Sequence, residues 1–233
     1  MSNPQTVRVI ATDLVYVWVP TDTHDNPSIA QLEPVESHAK RIHEHADCAS
    51  VFWGSSIEIH AIDSSLVAVV VRWTSNRARV SPDYFRPYTT PTRPAHVLRL
   101  NFDVGDLREY PVTEIALPCF PSDMSYHDIQ TLTLPFRAAL MHASKNGAEG
   151  EQSTATCALG LRQGWVASPD YIADDESLTG EATVCAMFIG WSSIEAHMDT
   201  IETERVKGLL EKMTAVMLPF AEGLELSHFV FKG

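Results

Sequence analysis

The chain has 233 residues, 45% of them hydrophobic and 20% charged, with a formal net charge of −13. That length allows one large domain or two small ones, and the acidic balance argues against nucleic acid and anionic membranes as partners. No apolar stretch approaches the ~20 residues that span a bilayer.

The opening MSNPQTVRVI lacks the basic, apolar, small-residue order of a secretory signal. Cys48, Cys119, Cys157 and Cys185 are scattered, with no CxxC pair. Free thiols in a reducing, cytoplasmic setting are therefore expected.

In chain order, Val7–Val19 is the first strand, apolar on both faces from Leu14 and so buried on both. A polar loop follows, and Asn26-Pro27 opens a helix whose apolar stripe is Ile29, Leu32, Val35, Ala39 and Ile42. Ala49–Glu58 is the second strand, with a bend at Gly54, and Leu66–Trp73 the third. Residues 75–94 hold Pro82, Pro87, Pro91 and Pro94, so only a short or broken helix fits before the strand His96–Val104. The order then begins again. Val112–Phe120 is a strand, Ser122–Lys145 a helix capped at Ser122 or Ser125, and Thr154–Ser168 a strand. Thr183–Trp191 is an uninterrupted apolar strand ended by Gly190-Trp191. Ser192-Ser193-Ile194-Glu195 matches a capping box, with Ser192 as cap, and opens a helix running to Pro219. Ile194, Met198, Ile201, Leu209, Met213, Val216 and Phe220 form its inward side, and Leu224–Phe231 closes the chain as a strand.

Each half thus reads β-α-β-β-α-β, the ferredoxin-like order. The halves also match in letters: LVAVVVRWTSNRAR at Leu66–Arg79 aligns with VCAMFIGWSSIEAH at Val184–His197, pairing Trp73 with Trp191, Ser75 with Ser193 and Ala78 with Ala196. Duplication is the simplest origin of that match. The expected fold is α+β, with two ferredoxin-like halves at 1–105 and 106–233, the first with a degenerate second helix. Each sheet has one face without helices, and the two can bury those faces against each other in one chain.

Strand, then Trp-x-Ser-x-Glu-Ala-His at Trp191–His197, resembles antibiotic-biosynthesis-monooxygenase-type members of the dimeric α/β-barrel superfamily. The FWG at Phe52–Gly54, VRWTS at Val71–Ser75 and SPDYF at Ser81–Phe85 resemble its duplicated, fungal-type form. The resemblance implies an intramolecular α/β barrel and a range of activities: cofactor-free monooxygenases, polyketide cyclases, isomerases, decarboxylases and haem enzymes. Plant polyketide cyclases of the superfamily carry a histidine in an HPAH-like stretch. The matching stretch here is Ser81-Pro82-Asp83-Tyr84, with tyrosine in its place.

Three residues are candidates for catalysis. His197, at the edge of its helix's apolar stripe beside Trp191, can serve as acid or base near neutrality. Tyr84 can steady an enolate oxygen with its phenol, and His60 lies just past the second strand. Trp191, Trp73, Trp53, Trp165 and Tyr16 lie on or beside strands; they suit both a core and a mostly apolar substrate pocket. His38, His43 and His45 lack the i,i+4 spacing of a metal pair and read as a solvated face, and His228 reads as a satisfied core histidine. No phosphate loop, dinucleotide fingerprint, nucleophile elbow or metal-ligand spacing is present, so no metal, nucleotide or flavin is expected.

The leading expectation is a cofactor-independent tailoring enzyme that uses acid–base chemistry, as a cyclase, isomerase or lyase, on a small hydrophobic polyketide-like or aromatic compound. The alternatives are a cofactor-free monooxygenase and a non-catalytic ligand-binding or assembly protein. A monomer is preferred because the chain carries both sheets, with outer helices still free to pair two copies.

Overall fold

The computed structural model describes residues 8–20, 29–58, 64–88, 94–142, 157–167, 182–218 and 226–233. The first half contributes β1 (Ala11–Pro20), α1 (Ile29–His43), β2 (Cys48–Ser55), β3 (Ser64–Trp73), a 3-10 helix (Pro82–Tyr88) and β4 (His96–Leu100). The strands form an antiparallel sheet in the order β2-β3-β1-β4. Among its described residues the proline-rich stretch yields only that 3-10 helix, as the missing N–H groups and fixed φ angles require.

The second half contributes β5 (Val112–Ala116), β6 (Cys119–Pro121), α2 (Tyr126–Met141), β7 (Gly160–Trp165), β8 (Ala182–Trp191), α3 (Ile194–Ile201), α4 (Glu204–Thr214) and β9 (Leu226–Phe229). β5 and β6 hold one register against β8, with Ala116 opposite Met187 and Cys119 opposite Val184. They are one strand interrupted at Leu117-Pro118, where proline has no N–H to give the ladder. With β7 on the other side of β8 and β9 beside β5, this sheet repeats the strand order of the first. The fold is a mixed α+β arrangement of two antiparallel sheets with ferredoxin-like connections.

The side chains sort by strand alternation. Leu14, Tyr16, Phe52, Ala68, Val70 and Leu98 from the first sheet form one buried cluster with Ile115, Val184, Ala186, Phe188 and Phe229 from the second. The opposite face of the first sheet packs Val15, Val17, Val69 and Val71 on Val35 and Ala39 of α1. The opposite face of the second packs Met187 and Ile189 on Phe136 and Leu140 of α2 and on Val206 and Met213 of α4.

The sheets also meet edge to edge. Trp53 and Lys232 exchange backbone bonds at 3.0 and 2.8 Å, and the amide of Ala167 reaches the carbonyl of Arg99 at 2.7 Å. At the first seam Gly54 has no room for a side chain, since a Cβ there would lie 2.5 Å from the carbonyl oxygen of Val230.

Several boundaries differ from expectation. The first strand begins at Ala11 rather than Val7, and the described part of the third strand of the second half is Gly160–Trp165. The cap of α3 is Ser193, which accepts from the amide of Ala196, so the helix opens one residue later than the capping box at Ser192 implied. The single helix expected over 193–219 is two. Thr203 donates its hydroxyl to the carbonyl of Thr200 at 2.7 Å, and Thr200 donates to that of Ala196 at 2.7 Å. Such side-chain bonds compete with the helical ladder and bend it. Once broken, the two helices need not share a face. α3 buries Ala196, His197 and Thr200 most fully; Ile194 and Ile201 of the expected stripe pack partly buried against the same core, and Met198 departs from it, 48% exposed.

Candidate active site

The apolar runs of β1 and β5 each carry one buried acid on the helix-covered face, Asp13 and Glu114. A carboxylate there must be met by donors. In both halves the first donor is the tryptophan ending the neighbouring strand: the indole N–H of Trp73 donates to Asp13 at 2.8 Å, and that of Trp191 to Glu114 at 2.8 Å. The registers correspond. Ala11 faces Trp73 and Asp13 faces Arg99, as Val112 faces Trp191 and Glu114 faces His228.

From there the halves diverge. In the first, Arg99 donates to Asp13 at 2.9 Å and to the carbonyl of Ala78 at 2.8 Å, and the amide of Val80 donates to Asp13 at 2.8 Å. This is a closed ion pair, 2.9 Å across and buried at both ends. In the second half, His228 occupies the place of Arg99, and His197 of α3 lies beside it. His197 Nδ1 and His228 Nε2 are 2.9 Å apart, and His197 Nε2 lies 3.6 Å from a Glu114 oxygen. The far nitrogen of His228, Nδ1, bonds Glu58, just beyond β2, and the backbone N–H of His228 donates to both oxygens of that carboxylate at 3.1 and 3.0 Å. Ser56 donates its hydroxyl to Glu58 at 2.5 Å. Trp191 covers the ring of His197 with centroids 5.1 Å apart.

The result is a line of four titratable groups, Glu114–His197–His228–Glu58. Three of them are buried, and the side chain of Glu58 is 35% exposed. Burial pushes the His197 imidazole down to about 4, helped by neighbouring His228 and opposed by Glu58. Burial raises the Glu114 carboxyl against the opposing effects of His228 and the Trp191 bond. Burial also tends to raise Glu58, but the hydrogen bonds from His228 and Ser56 outweigh it and hold the carboxyl at about 2.

Anionic Glu58 therefore fixes the proton on Nδ1 of His228, and one proton is left to share between the facing nitrogens of the two imidazoles. If it sits on His228, then His197 presents N–H to Glu114. If it passes to His197, the ring donates back to His228 instead. The two imidazoles can therefore exchange a proton across 2.9 Å, while Glu114, 3.6 Å from His197, stands nearby as a carboxyl held by the Trp191 indole.

Glu114, His197 and His228 each offer a ligand atom, all within 4.8 Å of one another. Two imidazoles and a carboxylate are a donor set that suits a divalent ion. In this arrangement, however, the two imidazoles are hydrogen-bonded to each other and Glu114 accepts from Trp191.

The line sets an acid response. His197 is neutral in the folded chain down to about pH 4 but takes a proton near 6.5 when unfolded. The unfolded state then binds more protons, so stability falls as pH drops through that window. Glu58 adds a second loss between 4.5 and about 2, and Glu114, shifted the other way, gains stability on protonation. Denaturant midpoints measured from pH 7 to 4 should fall for the wild type and fall less for His197→Phe. Equal slopes would mean that His197 titrates alike in both states.

The structure spreads the other sequence-predicted residues across the molecule. Tyr84 lies in the 3-10 helix of the first half, 48% exposed, and lines a cleft with Trp73. His60 lies outside the described residues. Trp53 lines an apolar cavity of about 200 Å³ with Val35, Val67 and Val230. Trp165 rests on Tyr126 with centroids 4.8 Å apart. Tyr16 is fully buried in the cluster between the sheets, its ring 6.2 Å from Phe229 and its hydroxyl unpartnered among the described residues. Burial pushes that phenol's pKa up. His43 and His45 are exposed, as a solvated face requires, while His38 is half-buried, with Nδ1 3.0 Å from the carbonyl of Pro34 and 3.1 Å from the hydroxyl of Tyr88.

Glu114 and Glu58 were not singled out in the sequence, and His228 was read as a satisfied core histidine, which agrees with its burial and its bonds to Glu58 and His197. The available signal was a lone carboxylate in each apolar strand, Asp13 and Glu114, because a buried strand tolerates an acid only where donors meet it.

No protein-family model matches the chain, and no curated protein matches it. Solved structures do match. An anthrone oxidase-like protein is 12% identical with a TM-score of 0.55, covering 97% of this chain and 93% of its own. A chlorite dismutase variant from Candidatus Nitrospira defluvii is 8% identical with a TM-score of 0.50, covering 97% and 95%. At these identities the likeness is one of fold.

Proposed function

We propose that the protein is a cofactor-independent tailoring enzyme that moves a proton on a small hydrophobic oxygenated compound, polyketide-like or aromatic, in a cyclisation, isomerisation or elimination. The observation behind this reading is the substitution of a shuttling line, Glu114–His197–His228–Glu58, for the closed ion pair Asp13–Arg99 in corresponding slots of the two halves. In the first half the same slot holds an aspartate–arginine pair closed by the Val80 amide and the Ala78 carbonyl, with no imidazole in it.

In this reading His197, neutral and enclosed by Trp191, removes a proton from an acidic C–H beside a carbonyl. The proton passes to His228, whose other nitrogen is held by the Glu58 carboxylate, and returns to the product by the same route. Glu58 positions His228 and stabilises its charged form, as a carboxylate does behind a general-base histidine. The matching registers further support two duplicated halves, 1–105 and 106–233, that close one barrel within a single chain and work as a monomer.

The test is turnover of a panel of polyketide-derived aromatics by chelator-treated protein. His197→Ala should lower turnover by the ~10²–10⁴ typical of a general acid–base group while the fold is retained. Unchanged turnover in the folded variant would remove the line from the chemistry. Turnover that requires oxygen would instead make the protein a monooxygenase, and a tightly held but unaltered compound would make it a binding protein.

A further inference from the structure

A second site lies in the first half, apart from the histidine line. The last turn of α1, the end of β3 and the 3-10 helix enclose an open cleft of about 230 Å³. Its floor is apolar, made by the buried residues Ile42, Trp73 and Val80. Its rim carries Arg41, Arg79, His45 and Tyr84, with Glu44 as the one acid.

The rim is unusual for this chain. The protein has 30 acidic residues against 17 lysines and arginines. Arg72, Arg99 and Arg108 are each held by an aspartate, at 2.7, 2.9 and 2.6 Å. Arg41 and Arg79 have no carboxylate partner among the described residues, although acids are abundant. The amide of Asp47 donates to Nδ1 of His45 at 3.2 Å, and the edge of that ring stands on Trp73 with centroids 5.5 Å apart. His45 therefore carries its proton on Nε2 and adds a donor to the rim. Two guanidinium groups, an imidazole N–H and a phenol O–H above a flat apolar floor suit a ligand with an acidic end and a flat body. A guanidinium binds a carboxylate through two parallel bonds, and the floor rewards burial of a ring.

We infer that this cleft binds a small aryl carboxylate, with Arg41 and Arg79 on the carboxylate and the ring over Ile42, Trp73 and Val80. The volume suits one substituted aromatic ring and no more. Arg79 occupies the sequence position that His197 holds in the second half, so corresponding places on the two halves serve binding in one and proton transfer in the other.

The experiment titrates full-length protein with benzoate, and separately with acetate, following backbone amide shifts by NMR. Benzoate should bind saturably with a Kd on the order of millimolar, as its size allows. Shifts should centre on residues 41–45 and 73–84, and acetate should bind at least ~10-fold more weakly because it cannot use the floor. Arg41→Gln and Arg79→Gln should each weaken benzoate by ~10-fold, which is ~1.4 kcal/mol. Both side chains are exposed, so the variants should fold. His197→Ala should bind benzoate as the wild type does, which separates this site from the proton line. Absence of saturable binding, equal affinity for acetate, or indifference to both arginine substitutions would overturn the assignment.

Discussion

Replacing Asp13 by alanine should destabilise the protein by ~3–5 kcal/mol, the range seen when one partner of a buried ion pair is removed. Asp13 is 1% exposed and accepts from the Trp73 indole, the Val80 amide and the Arg99 guanidinium. The substitution leaves the Trp73 indole and the Val80 amide without their acceptor, and the guanidinium, which still donates to the carbonyl of Ala78, loses the carboxylate that balances its charge. Domains of ordinary size are stable by only ~5–15 kcal/mol, so the loss is a large share of the total. Denaturant unfolding should show a lower midpoint with an unchanged slope. Removing both charges with Asp13→Leu and Arg99→Met should recover only the part of the loss owed to the stranded charge, because the Trp73 indole and the Val80 amide still lack an acceptor. A loss below ~1 kcal/mol for Asp13→Ala would mean that water reaches the pair. Glu114→Gln should cost far less, since an amide oxygen still accepts from Trp191 and Glu114 has no guanidinium to leave stranded.

Separating the halves should abolish folding of both. Residues 1–105 alone would expose Leu14, Tyr16, Phe52, Val70 and Leu98 on one sheet face, and residues 106–233 would expose Ile115, Val184, Ala186, Phe188 and Phe229, all now buried in one cluster. Backbone bonds across the seams, Trp53 with Lys232 and Ala167 with Arg99, would be lost as well. Apolar faces of that size drive association rather than independent folding. Each half expressed alone should be insoluble or aggregate, and the two co-expressed should recover a single cooperative transition. A well-dispersed NMR spectrum from either half alone would contradict the shared core.

The strands were legible in the sequence because burial on both faces writes an uninterrupted apolar run. Leu66–Trp73 and Thr183–Trp191 were placed to within two residues on that basis. The α3–α4 break was not legible. Nothing in the letters from Ser193 to Pro219 forbids a continuous helix, and the break depends on threonine hydroxyls that turn to helix carbonyls. The orientation of α3 followed from that break. His197 was singled out by its motif, but its partners were invisible: they come from β5, β9 and the exit of β2, as far as 170 residues apart in sequence.

The sequence by itself determined the order of the strands and, among the described residues, the lack of an α-helix between the third and fourth strands of the first half. These follow from local rules: apolar period, proline geometry and capping chemistry act within a few residues. Only the tertiary structure decided where chemistry can occur. Whether a buried acid becomes a closed ion pair or the end of a proton line depends on what the strand beside it carries, arginine at position 99 or histidine at 228. Strand register brings that neighbour to 2.9 Å in the one case and lines up two imidazoles at 2.9 Å in the other. Hydrogen-bond strength and pKa depend on such distances and on the exclusion of water, and both arise only when distant segments pack.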